Sequence, residues 1–138
     1  MNLDIDEHQI GLIRASWAHA AADPATAARL FYGHLFQEHP RLRPMFGEDM
    51  TSQGRKLMDT INFVVDHLDE PEALDTPVSD LGVRHQGYGV APDDYGPVGG
   101  ALIWTFQHLL GDGFTAETEA AWTKVYTHLA DAMTTAKA

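Results

Sequence analysis

Apolar side chains recur at steps of three and four residues along most of the chain, which is the spacing that places them on one face of an α-helix. The first of these stripes comprises Ile10, Ile13, Trp17 and Ala21. Asp6 and Gln9 precede it with the spacing of a capping box, although Asp replaces the usual Ser or Thr. The pattern predicts a first helix that ends near Pro24.

A second stripe comprises Ala27, Phe31, Leu35 and Phe36. It stops before Pro40, because the residue before a proline is disfavoured in helical conformation. Pro44 prevents a long continuation and leaves a short corner that carries Met45 and Phe46. The sequence therefore predicts a second helix followed by a tight corner.

The longest stripe predicts a core helix over residues 50–68 and comprises Met50, Gly54, Leu57, Ile61, Val64, Val65 and Leu68. Asp69 to Pro77 is rich in acids and prolines and is predicted to be a loop. Val78, Leu81 and His85 then form one face of a short helix that ends before Gly87-Tyr88-Gly89.

The last two stripes predict a penultimate and a final helix. The first of them comprises Tyr95, Val98, Leu102, Phe106 and Leu109, and the second comprises Trp122, Val125, Leu129 and Met133. Gly111-Asp112-Gly113 separates the two. No segment shows the alternation of a strand, so the sequence predicts an all-α fold of six or seven helices in one domain over residues 1–138.

Composition narrows the possible partners and the location. The formal charge of −11, from 20 acidic and 9 basic residues, disfavours nucleic acid and anionic membrane surfaces. No stretch is apolar enough to span a membrane, and the acidic N-terminus is unlike a signal peptide, so we expect a cytoplasmic protein. The absence of cysteine excludes disulfides, thiolate ligands and covalent thioether attachment of a cofactor.

His85 is the strongest candidate for a metal ligand, because it follows Leu81 by one turn on a short helix between two irregular segments. Leu81 would brace the imidazole, and Tyr95 is a candidate neighbour for its second nitrogen. Taken alone, His85 is more simply interpreted as a core histidine. The remaining histidines fall beside or off the apolar stripes, or in a turn: His8, His19, His34, His39, His67, His108 and His128.

A second group of candidates could face the opposite side of a flat apolar cofactor. Tyr32 and Gln53 would supply its polar groups, where a diatomic gas could bind, although each is also a normal core or surface residue. Leu57 would press on the cofactor one turn after Gln53, and Phe46 fits either ring stacking or a plug at the corner. Lys56 could pair with acidic cofactor groups or remain solvated. Together with His85, these residues point to a haem pocket.

Three segments together resemble the globin domain of bacterial flavohaemoglobins and the single-domain bacterial haemoglobins of the Vitreoscilla type. They are Phe31-Tyr32-x-x-Leu35-Phe36-x-x-His39-Pro40-x-Leu42-x-x-Met45-Phe46, then Gln53-Gly54-Arg55-Lys56-Leu57-Met58, then Arg84-His85-x-x-Tyr88-x-Val90-x-Pro92-x-x-Tyr95-x-x-Val98-Gly99. The likeness runs from about Ile10 to Met133. It implies a globin fold, a three-over-three sandwich of six to eight helices around haem.

The resemblance also implies a role for each matching residue. His85 would be the axial ligand of a non-covalently held haem b, Tyr32 the donor to a bound gas and Gln53 its companion. The haem-contacting residues would be Phe46, Gln53, Lys56, Leu57, Leu81, His85, Tyr88, Val90, Tyr95 and Val98. We therefore expect a protein that reversibly binds oxygen, and also nitric oxide and carbon monoxide, at a five-coordinate iron.

The chain departs from the flavohaemoglobin pattern in two ways. Those proteins place a glutamate late in the last helix, whereas Ala132 to Ala138 contains none and includes Lys137. The sequence also ends where a flavin and nicotinamide reductase would begin, so we expect any iron reduction to need a separate reductase. Nitric oxide dioxygenation with such a reductase and haem-based gas sensing remain alternative functions, and the chain could be a monomer or a homodimer.

Overall fold

The computed structural model describes residues 1–137, which form six α-helices and four short 3₁₀ helices and contain no strand. The α-helices are α1 (Glu7–Ala21), α2 (Pro24–Glu38), α3 (Met50–Asp66), α4 (Asp75–Gly87), α5 (Tyr95–Leu110) and α6 (Ala116–Thr134). The 3₁₀ helices are Pro40–Met45, Pro71–Leu74, Pro92–Asp94 and Gly111–Gly113. The predicted all-α architecture is therefore confirmed.

Side-chain caps define where several helices begin. The predicted capping box is present, because Asp6 accepts from the backbone of Gln9 and the Gln9 side chain accepts from the backbone of Asp6. Asp23 and Asp49 likewise accept backbone N–H groups in the first turns of α2 and α3. Pro24 is the first residue of α2, a position that does not require an N–H donor.

The predicted loop from Asp69 to Pro77 is wrong in its second part. Pro71–Leu74 form a 3₁₀ helix and α4 already begins at Asp75. Pro77 falls in the first turn of α4, where a backbone N–H has no acceptor within the helix, so the proline removes no hydrogen bond. The helix predicted over residues 50–68 ends earlier, at Asp66, although Leu68 beyond it is still buried.

The core is built from two clusters that meet at α5. The larger contains buried residues from all six α-helices, and within it the ring centroids of Trp122 and Phe106 are 4.4 Å apart. The indole N–H of Trp122 donates to the Ser16 hydroxyl at 2.8 Å, so this cluster contains no unpaired indole. The smaller cluster contains Phe31, Tyr32, Leu35, Leu42 and Ala101. Leu102 packs against both clusters, so α5 connects them.

Small residues allow two close contacts with α6. A Cβ atom on Gly82 of α4 would lie 2.5 Å from the carbonyl oxygen of Met133, so the two backbones already touch. A Cβ atom on Gly99 of α5 would lie 2.7 Å from the Tyr126 ring. The positions of α4 and α5 are therefore both set against the second half of α6.

A buried carboxylate connects the corner after α2 to the start of α5. Asp94 is 5% exposed, accepts from the Arg41 guanidinium at 2.7 Å and accepts from the backbone N–H of Ala91 at 2.8 Å. The hydrogen bond from Arg41, followed by that from Ala91, holds the pKa of Asp94 below its usual value. The carboxylate thus ties two segments that are far apart in sequence.

We predict that Asp94→Asn lowers the free energy of unfolding at pH 7 by about 2 kcal/mol, because a charged acceptor is lost from two hydrogen bonds. A carboxyl group with a lowered native pKa stabilises the fold above its ordinary pKa and loses that contribution as the pH falls below it. Urea unfolding from pH 7 to pH 2 should therefore show a smaller acid-induced loss in the variant. Asp93→Asn, at an exposed neighbour, serves as the control. Equal curves for both variants would contradict the prediction.

Candidate functional site

The helices that carry Gln53 and His85 pack on other parts of the protein rather than closely on each other. α3 packs on α1 and α2, whereas α4 packs on α6 and on the 3₁₀ helix Pro71–Leu74. Apolar side chains on both helices, including Leu57 and Leu81, are only partly buried. The region between α3 and α4 is called the crevice below, and a region between helices that is bordered by apolar side chains is a candidate location for a flat cofactor.

One side of the crevice is formed by an aromatic cluster around Tyr32. This side chain is 7% exposed, and its ring packs edge-on against Phe46 with centroids 5.4 Å apart. Phe36 stacks on Tyr32 with centroids 5.7 Å apart. Leu57 and Val98 pack against the same cluster. The structure thus brings together residues from α2, the corner that follows it, α3 and α5.

Gln53 is the polar neighbour of Tyr32. Its amide Nε2 donates to the Tyr32 hydroxyl oxygen at 3.4 Å, a long hydrogen bond. Because the hydroxyl oxygen accepts this bond, the hydroxyl hydrogen is free to donate to another group. Burial raises the pKa of Tyr32 above its usual value, so the phenol keeps its proton at neutral pH. The pair can therefore offer a hydrogen-bond donor to a small ligand.

His85 lies in the last turn of α4. Its Nδ1 is 2.8 Å from the backbone carbonyl oxygen of Leu81. A carbonyl can only accept, so Nδ1 carries the hydrogen and Nε2 keeps a lone pair available to a metal ion. Burial lowers the pKa of His85 below its usual value, which favours the neutral imidazole that metal ions require.

Three further residues lie near His85, namely Tyr88, Val90 and Tyr95. The Tyr88 and Tyr95 ring centroids are 6.2 and 6.5 Å from that of His85. The backbone N–H of Val90 donates to the His85 carbonyl at 3.0 Å, and the Val90 side chain is half-buried. The Tyr88 side chain is 66% exposed, so its ring stands at the outer rim of this group.

The two groups of residues converge on one turn of α5. Tyr95 stacks beside His85, and Val98, three positions later, packs on the cluster that contains Tyr32. Residues three positions apart in a helix are neighbours on its surface. The structure therefore places the His85 group and the Tyr32 group next to the same helical turn. Lys56 is exposed and does not join either group.

Several of the remaining histidines already have partners. His34 stacks on Trp104 with centroids 4.1 Å apart, and His108 packs on the same indole at 5.1 Å. His67 bonds to the backbone carbonyl of Phe63, and His8 pairs with Glu117. Within residues 1–137, no cluster of three or more His, Cys, Asp or Glu side chains could hold a metal ion. These findings leave His85 as the best-placed metal ligand for the crevice.

Sequence reasoning missed Tyr126, which fixes the start of α5 beside His85. Its hydroxyl donates to the backbone carbonyl of Tyr95 at 2.6 Å, and burial raises its pKa above the usual value. The stripe of the final helix did not include Tyr126. The pairing of an aromatic residue on one helix with Gly99 on another could only have been found from the folded structure.

Comparison with known proteins identifies relatives of this chain. The chain is 32% identical to a flavohemoprotein from Rhizobium meliloti (strain 1021) over 104 residues and 31% identical to one from Deinococcus radiodurans over 128 residues. These matches cover 73% and 91% of this chain but only 26% and 32% of the flavohemoproteins. Neuroglobin-1 from Oncorhynchus mykiss is 29% identical over 143 residues, covering 94% of this chain and 90% of neuroglobin-1.

Solved structures share the fold over nearly the whole chain. An engineered carbene transferase, described as a putative nitric oxide dioxygenase from Rhodothermus marinus, superposes with a TM-score of 0.83 and 25% identity. That match covers 95% of this chain and 92% of the other. Azide-bound ferric myoglobin from Aplysia limacina superposes with a TM-score of 0.86 at 19% identity, covering 98% of this chain and 100% of the myoglobin.

The family profile described as Globin matches residues 29–133, which include all of the candidate site residues from Tyr32 to Val98. No helix within residues 1–137 is long and apolar enough to cross a membrane. The fold, the profile match and the similarity to flavohemoproteins agree with the resemblance seen in the sequence. The chain belongs to the globin family.

Proposed function

We propose that this globin binds haem b non-covalently in the crevice and holds a diatomic gas there reversibly. The observation that carries the proposal is the state of His85: its Nδ1 bonds to the Leu81 carbonyl, and its Nε2 is left with a free lone pair. Ferrous haem, when bound, supplies an iron with an open coordination position for oxygen, nitric oxide or carbon monoxide. We further propose that residues 1–138 form a single domain and that the protein is cytoplasmic.

The residues around the crevice are of the chemical types that could bind haem. His85 would be the axial ligand, and the apolar side chains of Phe46, Leu57, Leu81 and Val98 would contact the flat faces of the porphyrin. Tyr88, Val90 and Tyr95 would border it on the His85 side. The exposed Lys56 can extend an ammonium group toward the acidic haem propionates, a solvent-screened pair that contributes little to affinity. The chain has no cysteine, so attachment would be non-covalent.

Tyr32 and Gln53 would act on the gas. The Tyr32 hydroxyl keeps its proton and has its hydrogen free, so it can donate to a ligand that carries partial negative charge. Gln53 supports that hydroxyl through its amide and adds a second donor. Hydrogen bonds to charged groups contribute about 1.5–3 kcal/mol each, so this pair would slow oxygen release.

The surroundings of His85 favour retention of a gas over oxidative chemistry. The imidazole donates to a neutral backbone carbonyl, which polarises the ring less than a carboxylate would. Flavohaemoglobins provide a glutamate late in the last helix, and residues 132–138 of this chain contain none. The electron donation from His85 to iron should therefore be modest. This supports oxygen binding as the first function and leaves gas sensing as an alternative.

Nitric oxide dioxygenation is the second candidate function. Its support is the similarity to two flavohemoproteins and to a structure described as a putative nitric oxide dioxygenase. The reaction consumes one electron from outside the globin domain for each turnover, so it would require a reductase as the electron source. Either function would use the same Tyr32 and Gln53 donors.

We predict that wild-type protein reconstituted with haem shows a Soret band and that His85→Ala loses most of it, because the axial nitrogen is removed. The absorbance ratio of haem to protein after gel filtration measures the loss. His19→Ala, at an exposed position of α1, should retain normal haem content. Retention of haem by His85→Ala would refute the assignment of the axial ligand.

We predict that Tyr32→Phe releases oxygen at least about tenfold faster, the kinetic equivalent of one lost charge-assisted donor. Stopped-flow displacement of oxygen by carbon monoxide measures the rate. The variant keeps the buried ring and its packing on Phe46, so haem content should not change. An unaltered off-rate would remove Tyr32 from the site.

We predict that the oxygenated protein oxidises one equivalent of nitric oxide and then stops without an electron source. Adding NADH and a ferric-haemoglobin reductase distinguishes the two functions. Sustained nitrate production at a rate set by the reductase would identify a dioxygenase. Absence of turnover, with oxygen binding intact and rapid reduction of the ferric protein demonstrated separately, would favour oxygen binding or sensing.

A further inference from the structure

Two adjacent faces of α4 have different neighbours. Leu81 and His85 are four positions apart and share the face that presents the imidazole. Gly82 and Gln86 each lie one position later, so their face is rotated by about 100° around the helix axis. This second face meets the end of α6. Any rotation of α4 would therefore move both faces together.

The contact between this second face and α6 involves backbone atoms on the α6 side. Gly82 touches the backbone of Met133 so closely that a Cβ atom would lie only 2.5 Å from its carbonyl oxygen. The Gln86 Nε2 donates to the carbonyl oxygens of Met133 at 3.2 Å and Ala136 at 3.0 Å. The Met133 carbonyl also accepts backbone N–H groups of Thr135 and Ala136, and Ala136 lies just beyond α6, so the Gln86 amide adds hydrogen bonds where the regular pairing of the helix ends.

The rest of α4 is anchored mainly at its beginning. Leu74 and Val78 are buried there, with 0% and 4% exposure. In the last turn, by contrast, Arg84, Gln86 and Gly87 are exposed. The Gln86 hydrogen bonds therefore connect the His85 end of the helix to Met133 in α6 and to Ala136 just beyond it.

We propose that Gln86 is a positioning residue for His85: its hydrogen bonds to Met133 and Ala136 fix the rotation of α4 and so the direction of the imidazole. The inference rests on the proposed haem site. A functional side chain must be held within about 0.5 Å and 10–20° of its working geometry. In this chain the hydrogen bonds between the His85 helix and the residues at and just after the end of α6 join the Gln86 amide to two backbone carbonyls.

The test compares Gln86→Glu, Gln86→Ala and Gln86→Lys in the haem-loaded protein. Glutamate has nearly the same shape but presents a carboxylate to two carbonyl oxygens, and alanine removes the contact. Lysine keeps N–H donors that can reach the end of α6. Gln37→Glu, at an exposed position of α2, introduces the same charge elsewhere and is the matched control.

Three quantities are measured: the iron–histidine stretching band in the resonance Raman spectrum of the gas-free ferrous protein, the rate of haem transfer to an apoglobin acceptor, and the melting temperature. In Gln86→Glu and Gln86→Ala, the band should shift or broaden and haem loss should accelerate about fivefold, equivalent to one lost hydrogen bond. Gln86→Lys should be close to wild type, and Gln37→Glu should match it.

The outcomes separate this inference from the proposed function. A wild-type protein with no iron–histidine band would overturn the haem proposal and this inference with it. A normal wild-type band that is unchanged in the Glu and Ala variants would overturn the inference alone. The same holds if those variants melt at lower temperature with an unchanged band, because Gln86 would then only stabilise the end of α6.

Discussion

The proposed chemistry depends on one short hydrogen bond, from Nδ1 of His85 to the carbonyl of Leu81 on the same helix. The bond selects the tautomer and leaves Nε2 as the free nitrogen. Both partners belong to α4, so the bond gives the ring an orientation relative to that helix only. Where the free nitrogen lies relative to the crevice is then decided by the packing of α4 on α6. The direction of the free nitrogen thus depends on both a local hydrogen bond and a long-range helix contact.

The two sides of the crevice are held by different kinds of interaction. On the Tyr32 side, interlocking aromatic rings fix the hydroxyl, and the long Gln53 contact at 3.4 Å leaves it some freedom to adjust to a ligand. On the His85 side, the Gly82 contact joins helix backbones, which cannot repack by changing a rotamer. The proposed axial ligand is therefore placed by a backbone contact together with the Gln86 hydrogen bonds, whereas the proposed gas-binding donors are more adjustable.

Local patterns allowed much of the fold to be predicted. Helical periodicity located all six α-helices, and the Asp6–Gln9 capping box placed the start of α1. The loop assigned to residues 69–77 was wrong because the prolines were treated as helix breakers, whereas Pro77 occupies the first turn of α4. The bond between Arg41 and Asp94 joins residues that no local pattern connects. Nor could Gln86 be linked to α6, because its acceptors are backbone groups that every residue possesses.

The difference between the Tyr32 side and the His85 side also affects which function the crevice favours. Oxidative turnover benefits from an axial imidazole made electron-rich by a carboxylate, whereas this chain offers a neutral carbonyl and connects the last helix to α4 through Gln86. A buried phenol and an amide on the opposite side would stabilise a bound gas in the proposed site, and so would oppose its release. If a reductase does act on this globin, the net charge of −11 predicts a basic docking surface on that partner. Electron transfer between them would then slow as ionic strength rises, because screening weakens the attraction between the two surfaces.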